Sequence, residues 1–269
     1  MSANDYVHGY SDRERQRLHD QSQTLAGLLH HDTRYPAGSH VLEAGCGVGA
    51  QTVILAKNNP RTHFTSVDAS PASLEAARAA ARRAGCDNVT FQAADIFQLP
   101  FPEGSFDHVF VCFVLEHLRQ PREALQRLGA VLKPGGSLTV IEGDHGSTFF
   151  HPRSDAAWRT IQCLIDVQAA LGGNALIGRE LFPLLLASGF REVRVSPRFV
   201  YVDASRPAWV EGFTRNTYIA MVEGAREQAL AAGLIDRASW DKGIAELKAS
   251  AGPDGTFCYT FFKAVAVRP

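Results

Sequence analysis

The 269-residue chain has little of what marks out several protein classes. Its five cysteines (Cys46, Cys86, Cys112, Cys163 and Cys258) are odd in number, scattered and never arranged as C-x-x-C. That argues against a zinc ribbon or a disulfide framework and makes a reducing cytoplasm the expectation. Net charge is nearly absent: 27 basic side chains against 28 acidic ones leave −1. With no basic field to meet a phosphate backbone, nucleic acid is not the expected partner. Long apolar runs are missing too. The longest, 109–115 and 181–187 (the latter interrupted by Pro183), fall far short of the roughly 20 residues that span a bilayer, so no membrane is expected. The polar start Met1-Ser2-Ala3-Asn4-Asp5 lacks the charged-then-apolar order of a secretory leader. There is no internal repeat and no low-complexity tract. What is present, 45 % apolar and 20 % charged residues, suits a globular chain that buries one large core.

Strand-like and helix-like segments alternate through the first half. Strands are predicted over Val41–Ala44, Phe64–Val67, Val89–Gln92, His108–Phe113 and Ser137–Glu142. Between them fall a helix over 50–57, an alanine-rich helix begun by Ser70-Pro71 and ended by Gly85, and a helix opened by Pro121 and stopped by Lys133-Pro134-Gly135-Gly136. Such alternation builds βαβ units: a parallel sheet with helices on both faces. The second half is less regular. Glu192–Val202 reads as a strand whose Pro197 points to an edge or bulge, and Phe257–Val267 as a closing strand. Helical insertions over 144–177 and 203–252 are expected to decorate the sheet. The expected layout is therefore a helical lid over 1–37, a binding core over 38–143, the first insertion, a core helix and strand over 178–202, the second insertion, and the final strand in 253–269.

The sharpest feature is Val41-Leu42-Glu43-Ala44-Gly45-Cys46-Gly47-Val48-Gly49, a strand running into three alternate glycines and then a helix. Glycines there let the backbone turn tightly and touch a ligand directly. A dinucleotide site prefers G-x-G-x-x-G, but Ala50 takes that sixth position, which weakens an NAD-dependent reductase reading. Glu43 beside the loop would repel a pyrophosphate and welcome a cationic ligand such as an α-amino group. Asp68, ending the second strand, is placed to accept ribose hydroxyls, and Asp95, after the third, to accept from an adenine amino group. Each acid alone would more often be a cap or a solvated loop residue; three at successive strand ends point to a ligand.

Over roughly residues 38–143 the chain resembles the class I S-adenosylmethionine-dependent methyltransferases, a small-molecule, natural-product group among them. The resemblance is carried by Glu43-x-Gly45-x-Gly47-x-Gly49, Val67-Asp68, Ala94-Asp95, Leu99-Pro100-Phe101, Phe106-Asp107, Leu115-Glu116-His117 and Leu132-Lys133-Pro134-Gly135-Gly136. It implies a doubly wound, Rossmann-like α/β fold with a seven-stranded sheet, the last strand antiparallel, and helical cap insertions. It assigns Gly45 and Gly47 to the methionine moiety, Asp68 to the ribose, Asp95 with Ile96 to adenine, and Phe113 and Val114 to the neighbourhood of the sulfonium. The start, Tyr6-Val7-His8-Gly9-Tyr10 with Arg17-Leu18 and Gln21, resembles a group whose N-terminal segment folds over the cofactor, making Tyr10 and Gln21 candidate contacts. The implied cofactor is S-adenosylmethionine, leaving as S-adenosylhomocysteine.

Methyl transfer from a sulfonium is an in-line displacement, so the protein must align the nucleophile and exclude water. A weak nucleophile needs a base. The preferred polar cluster is Glu142-Gly143-Asp144-His145-Gly146: Asp144 either receives a proton, holds a substrate N–H, or caps a helix, and His145 either acts near neutral pH or is a solvated loop residue. His117 is expected to order its loop, and His30-His31 to lie on the surface. No spacing, Asp144 with Asp166 included, demands a metal. Phe149, Phe150, Trp158, Tyr201, Trp209, Phe213 and Tyr218, with Arg215 and Asn216 beside them, are core packing or the lining of a pocket for a flat acceptor. The expectation is methylation of a nitrogen, carbon or oxygen of an aromatic or heterocyclic small molecule, such as an indole or indole-containing cyclic dipeptide, by a monomer or homodimer. The alternatives are ring-carbon methylation of a quinone- or sterol-like substrate and a non-catalytic cofactor-binding subunit.

Overall fold

A computed structural model describes residues 24–269. Seven strands form one sheet in the order β3-β2-β1-β4-β5-β7-β6: β1 (His40–Ala44), β2 (His63–Asp68), β3 (Val89–Ala93), β4 (Phe106–Cys112), β5 (Leu132–His151), β6 (Arg191–Asp203) and β7 (Thr256–Val267). β1 to β5 run parallel, and β7 is antiparallel to both β5 and β6. The order reverses between β1 and β4, which brings the loops after β1, β2 and β4 together at the strands' carboxyl ends.

Local chemistry sets the helices. The glycine loop feeds α1 (Ala50–Asn58) through Gly49, whose φ of 81° suits glycine alone. α2 (Pro71–Ala84) starts with Ser70 Oγ accepting the Ser73 N–H and ends at Gly85 in the left-handed conformation. α3 (Pro121–Val131) opens with proline at its first turn. α4 (Asp155–Ala170) is capped by Ser154, which accepts from the Ala157 N–H. A 3-10 turn, Ile177–Glu180, leads into α5 (Leu181–Ala187). Between β6 and β7 come the short helices Pro207–Trp209, Ala220–Gly224 and Arg226–Ala231, a ten-residue π-helix Val210–Ile219, and α6 (Arg237–Ala249).

Each face of the sheet buries its own core. One joins Phe64, Phe110 and Ile141 to Leu25 and Leu29 of the helical stretch 24–30, Leu164 of α4, Trp240 of α6, and Phe213 and Tyr218 of the π-helix. The other joins Leu42, Val109 and Val140 to Leu125 and Leu128 of α3 and Leu181 and Leu185 of α5.

Two expectations change. Residues 144–151 are strand, not helical insertion: β5 runs on to His151, pairing Phe149, Phe150 and His151 with Cys258, Phe257 and Thr256 after a register shift between Asp144 and Phe149. The bulged residues 145–148 leave the ladder. His30 is not on the surface. It is 1 % exposed, bonds Gln51 at 2.7 Å and packs on Phe110. Burial pushes its imidazole down to about 4, so it is neutral near pH 7. Its neighbour His31 is exposed.

Among the described residues, no helix is long and apolar enough to cross a membrane.

Candidate active site

The glycine loop is pinned to β2. Gly45 and Cys46 donate their N–H groups to the Val67 carbonyl at 2.8 and 3.0 Å, and Gly47 donates to Asp68 Oδ2 at 2.8 Å while Ser70 N–H takes Oδ1. Asp68 thus braces the loop it faces. Gly45 and Gly47 sit at φ 76° and 52°. A Cβ on Gly45 would lie 2.5 Å from Val114, whereas one on Gly47 would meet nothing within 4 Å. The loop therefore closes on Val114 at one glycine and leaves bare backbone facing open space at the other.

Glu43 lies just before the loop and is 2 % exposed. Its Oε2 accepts the hydroxyls of Thr52 and Ser66, both at 2.6 Å. Burial pushes its carboxyl up to about 7, against those two bonds and with the Asp68 charge adding to the rise. A carboxyl poised this way gains from a nearby positive charge, which would restore its ionised form. Asp95 follows β3; its Oδ1 accepts the Phe97 N–H at 2.9 Å, and Ile96 packs beside the second core.

β4 ends at Cys112, one residue earlier than predicted. Phe113 then adopts φ 57°, a left-handed conformation costly for a bulky residue. Its ring lies 5.4 Å from Phe261, joining the loop after β4 to β7.

The opposite wall is the β5 bulge. His145 is 4 % exposed, and its Nδ1 is 2.8 Å from the Tyr259 hydroxyl. Tyr259 reaches it across Gly143, where a Cβ would stand 2.3 Å from that hydroxyl. Burial, with the charges of Glu116 and Asp144 contributing, pushes the Tyr259 phenol well up, so it stays protonated. Thr148 Oγ1 donates to the His145 carbonyl at 2.9 Å and meets the Tyr218 hydroxyl at 2.6 Å. Histidine, two tyrosines and a threonine thus make one buried polar unit. Tyr259 is absent from the sequence-derived candidates; the buried alternation of Phe257, Tyr259 and Phe261 was its only trace.

Asp144 does not cap the next helix, which Ser154 caps, and it is ion-paired. Arg179, from the 3-10 turn, binds it through Nε to Oδ2 at 2.7 Å and NH2 to Oδ1 at 2.8 Å, and Gly146 N–H also takes Oδ1. Both oxygens are engaged in holding the bulge to the turn, which leaves Asp144 ill placed to collect a substrate proton.

The aromatic residues divide. Phe213 and Tyr218 pack against Phe257, Tyr259 and Phe261 in the core beneath His145. Phe150 and Trp158 pack on each other. Phe149 and Tyr201 are exposed, Phe149 stacking on Phe199. Arg215 donates to the Ala251 carbonyl. Tyr10 and Gln21 lie outside the described residues.

Residues 41–136 match the family model described as a methyltransferase domain. The chain is 31 % identical to an "uncharacterized 37.1 kDa protein in transposon TN4556" of Streptomyces fradiae, over 86 % of this chain and 61 % of that one. It is 28 % identical to the 27-O-demethylrifamycin SV methyltransferase of Amycolatopsis mediterranei, over 83 % of this chain and 76 % of that one. It also superposes on a putative methyltransferase of Bacillus halodurans with TM-score 0.57 at 18 % identity, covering 92 % and 99 % of the two chains. The chain thus carries a methyltransferase domain over residues 41–136, in the fold of the class I methyltransferases. It spans 61 % of the length of the Streptomyces protein.

The cofactor of such a domain is S-adenosylmethionine, as in a Haemonchus contortus phosphoethanolamine N-methyltransferase of the same fold. The chain's residues fit it: Gly47 offers bare backbone to open space, Asp68 stands at the end of β2, and Glu43 is a buried carboxyl that an ammonium would stabilise. Among the described residues no group of three or more His, Cys, Asp or Glu side chains is arranged to hold a metal.

Proposed function

We propose that this chain transfers a methyl group to a nitrogen, carbon or oxygen of a small aromatic or heterocyclic acceptor, an indole or an indole-containing cyclic dipeptide being the type of molecule meant. What carries the proposal is the presence of two features at the carboxyl end of the sheet. One is the bare-backbone loop Gly45–Gly49 with Asp68; the other is the buried His145–Tyr259 unit.

In this reading Gly45 and Gly47 receive the methionine moiety, Asp68 the ribose hydroxyls, Asp95 and Ile96 the adenine, and Phe113 and Val114 flank the sulfonium. Tyr10 and Gln21 are the further contacts proposed from the N-terminal segment. The bound cofactor supplies an electrophilic methyl group on a positively charged sulfur. The protein's part is alignment, exclusion of water and handling of one proton.

His145 is the group proposed to accept that proton. With Nδ1–H donated to the Tyr259 oxygen, the imidazole is fixed in orientation and in the tautomer whose Nε2 carries the lone pair. Asp144 takes part as an anchor, its ion pair with Arg179 holding the bulge that presents His145. A buried histidine packed against Tyr218 and Tyr259 favours an apolar, flat acceptor over an extended protein tail. The relative named above, a 27-O-demethylrifamycin SV methyltransferase, supports a small-molecule acceptor.

The test is a screen of indoles, diketopiperazines, quinones and catechols for S-adenosylhomocysteine formation. A heterocycle turned over by the wild type and lost in His145→Ala supports the reading. Turnover confined to quinone-type ring carbons, or unchanged in His145→Ala, contradicts it.

A further inference from the structure

Glu142 precedes the Gly143–Gly146 stretch in β5 and is fully buried. Its Oε1 accepts two backbone amides from the segment after β4, Val114 N–H at 3.1 Å and Leu115 N–H at 2.8 Å. Leu115 opens the 3-10 turn Leu115–His117, which has no side-chain cap from the residue before it. Helical turns leave their first amides without partners, and Glu142 supplies the missing acceptor from the neighbouring strand. The Phe113 N–H remains on the sheet, donating to the Ile141 carbonyl at 2.9 Å. The chain therefore twists away from the sheet at Phe113, at φ 57°, and the next two amides land on one carboxyl oxygen. Val114 then closes on Gly45, where a Cβ would come within 2.5 Å.

We propose that Glu142 is a positioning residue that holds the left-handed Phe113 and its neighbour Val114 against the glycine loop, so that the cofactor-side wall is formed before cofactor arrives. The proposal rests on the assignment of Gly45, Phe113 and Val114 to the cofactor made above. The competing role for a buried acid at this place is that of a charge or proton acceptor, because Oε2 has no partner among the described residues. The geometry favours positioning: what the turn requires is an acceptor at a given reach, and a neutral group provides that as well as an anion. Burial, together with the nearby Glu116, pushes the Glu142 carboxyl up from the ordinary carboxylate range, against the amides it accepts. An amide of the same length presents the same oxygen at the same reach.

Two substitutions separate reach from charge. Glu142→Gln keeps the length and removes the acid; Glu142→Asp keeps the acid and draws the oxygen back by one methylene. Each is measured by calorimetric titration with S-adenosylhomocysteine and by amide hydrogen exchange over residues 113–117 in cofactor-free protein, with thermal midpoints recorded for both. Positioning predicts that the Gln variant binds within about threefold of wild type with unchanged protection. It predicts for the Asp variant about tenfold or more weaker binding, the loss of roughly one to two net hydrogen bonds, with faster exchange at Val114 and Leu115 while β1 and β2 keep their protection. The reverse order, Asp intact and Gln impaired, would overturn the proposal in favour of a charge role; two variants both indistinguishable from wild type would overturn it as well. If the wild type failed to bind S-adenosylhomocysteine, the cofactor assignment would fall, and the exchange measurement would still decide what Glu142 does to the turn.

Discussion

The two halves of the sheet make their walls of the site by different means. In the parallel half, β1 to β4, the groups that face the crevice are held by near neighbours in sequence: Asp68 braces a glycine 21 residues away, and Glu43 is held by Thr52 and Ser66, 9 and 23 residues away. In the antiparallel half, His145 meets Tyr259 across 114 residues, Thr148 meets Tyr218 across 70 and Asp144 meets Arg179 across 35. The first wall is written in short motifs and the second only in tertiary pairing. A fold of this kind keeps a common cofactor frame while its acceptor side is free to vary.

If the halves are functionally separate, damage to one should leave the other's readout intact. His145→Ala should cut turnover about 1,000-fold, within the usual range for loss of a general base, while S-adenosylmethionine affinity measured by calorimetry stays within about threefold. A parallel collapse of affinity would erase the distinction between the walls.

Glu43→Gln tests the cofactor wall through pH. The folded carboxyl titrates at about 7 and the ordinary one at 4.5. Between those values the native state holds a proton that the unfolded chain has lost, so stability falls as pH rises and is level above about 7. Removing the acid should therefore raise the unfolding free energy of cofactor-free protein at pH 8 by up to about 3 kcal/mol, and leave it unchanged at pH 4. The same substitution should weaken S-adenosylmethionine binding at pH 8. Denaturant titrations at the two pH values check the first claim and calorimetry the second.

Asp68→Ala should weaken S-adenosylmethionine binding about 100-fold, the cost of removing a charged hydrogen-bond acceptor and its brace on Gly47, with hydrogen exchange at the β5 bulge unaltered. Tyr259→Phe keeps the ring packing and removes the hydroxyl on His145 Nδ1. Turnover should drop about tenfold, with cofactor affinity unchanged. The smallest effect belongs to Phe149→Ser, an exposed site whose stability change should stay within about 0.5 kcal/mol by thermal unfolding.

Legibility in the sequence followed the same division. β1 to β4 fall within one or two residues of their predicted ends, because Pro-Gly signals and short apolar runs set them locally; the Ser70 cap and the Gly85 stop were likewise visible. Lys133-Pro134-Gly135-Gly136 was not a simple break: β5 begins at Leu132 and runs through it, with Gly136 so close to the Asp107 carbonyl that a Cβ would lie 2.8 Å away. The extension of β5 beyond Glu142 carried no alternation to betray it, since Gly143, Gly146 and Ser147 are there for close approach and bulging rather than for side-chain packing. His30 looked like a surface residue because Gln51 and Phe110, which enclose it, lie far along the chain. Tyr259 was missed for the same reason; Glu142 stood in the predicted polar cluster but without its role at the turn after β4, and Arg179 gave no sign that it would occupy Asp144.

The central claim, that the loop Gly45–Gly49 with Asp68 is a sulfonium-cofactor site, is tested most directly by titrating the wild-type chain calorimetrically with S-adenosylmethionine and, separately, with NADH. The account predicts one-to-one micromolar binding of S-adenosylmethionine and none of NADH. Binding of NADH, or of neither, would contradict it and return the glycine loop to a nucleotide-site or vestigial reading.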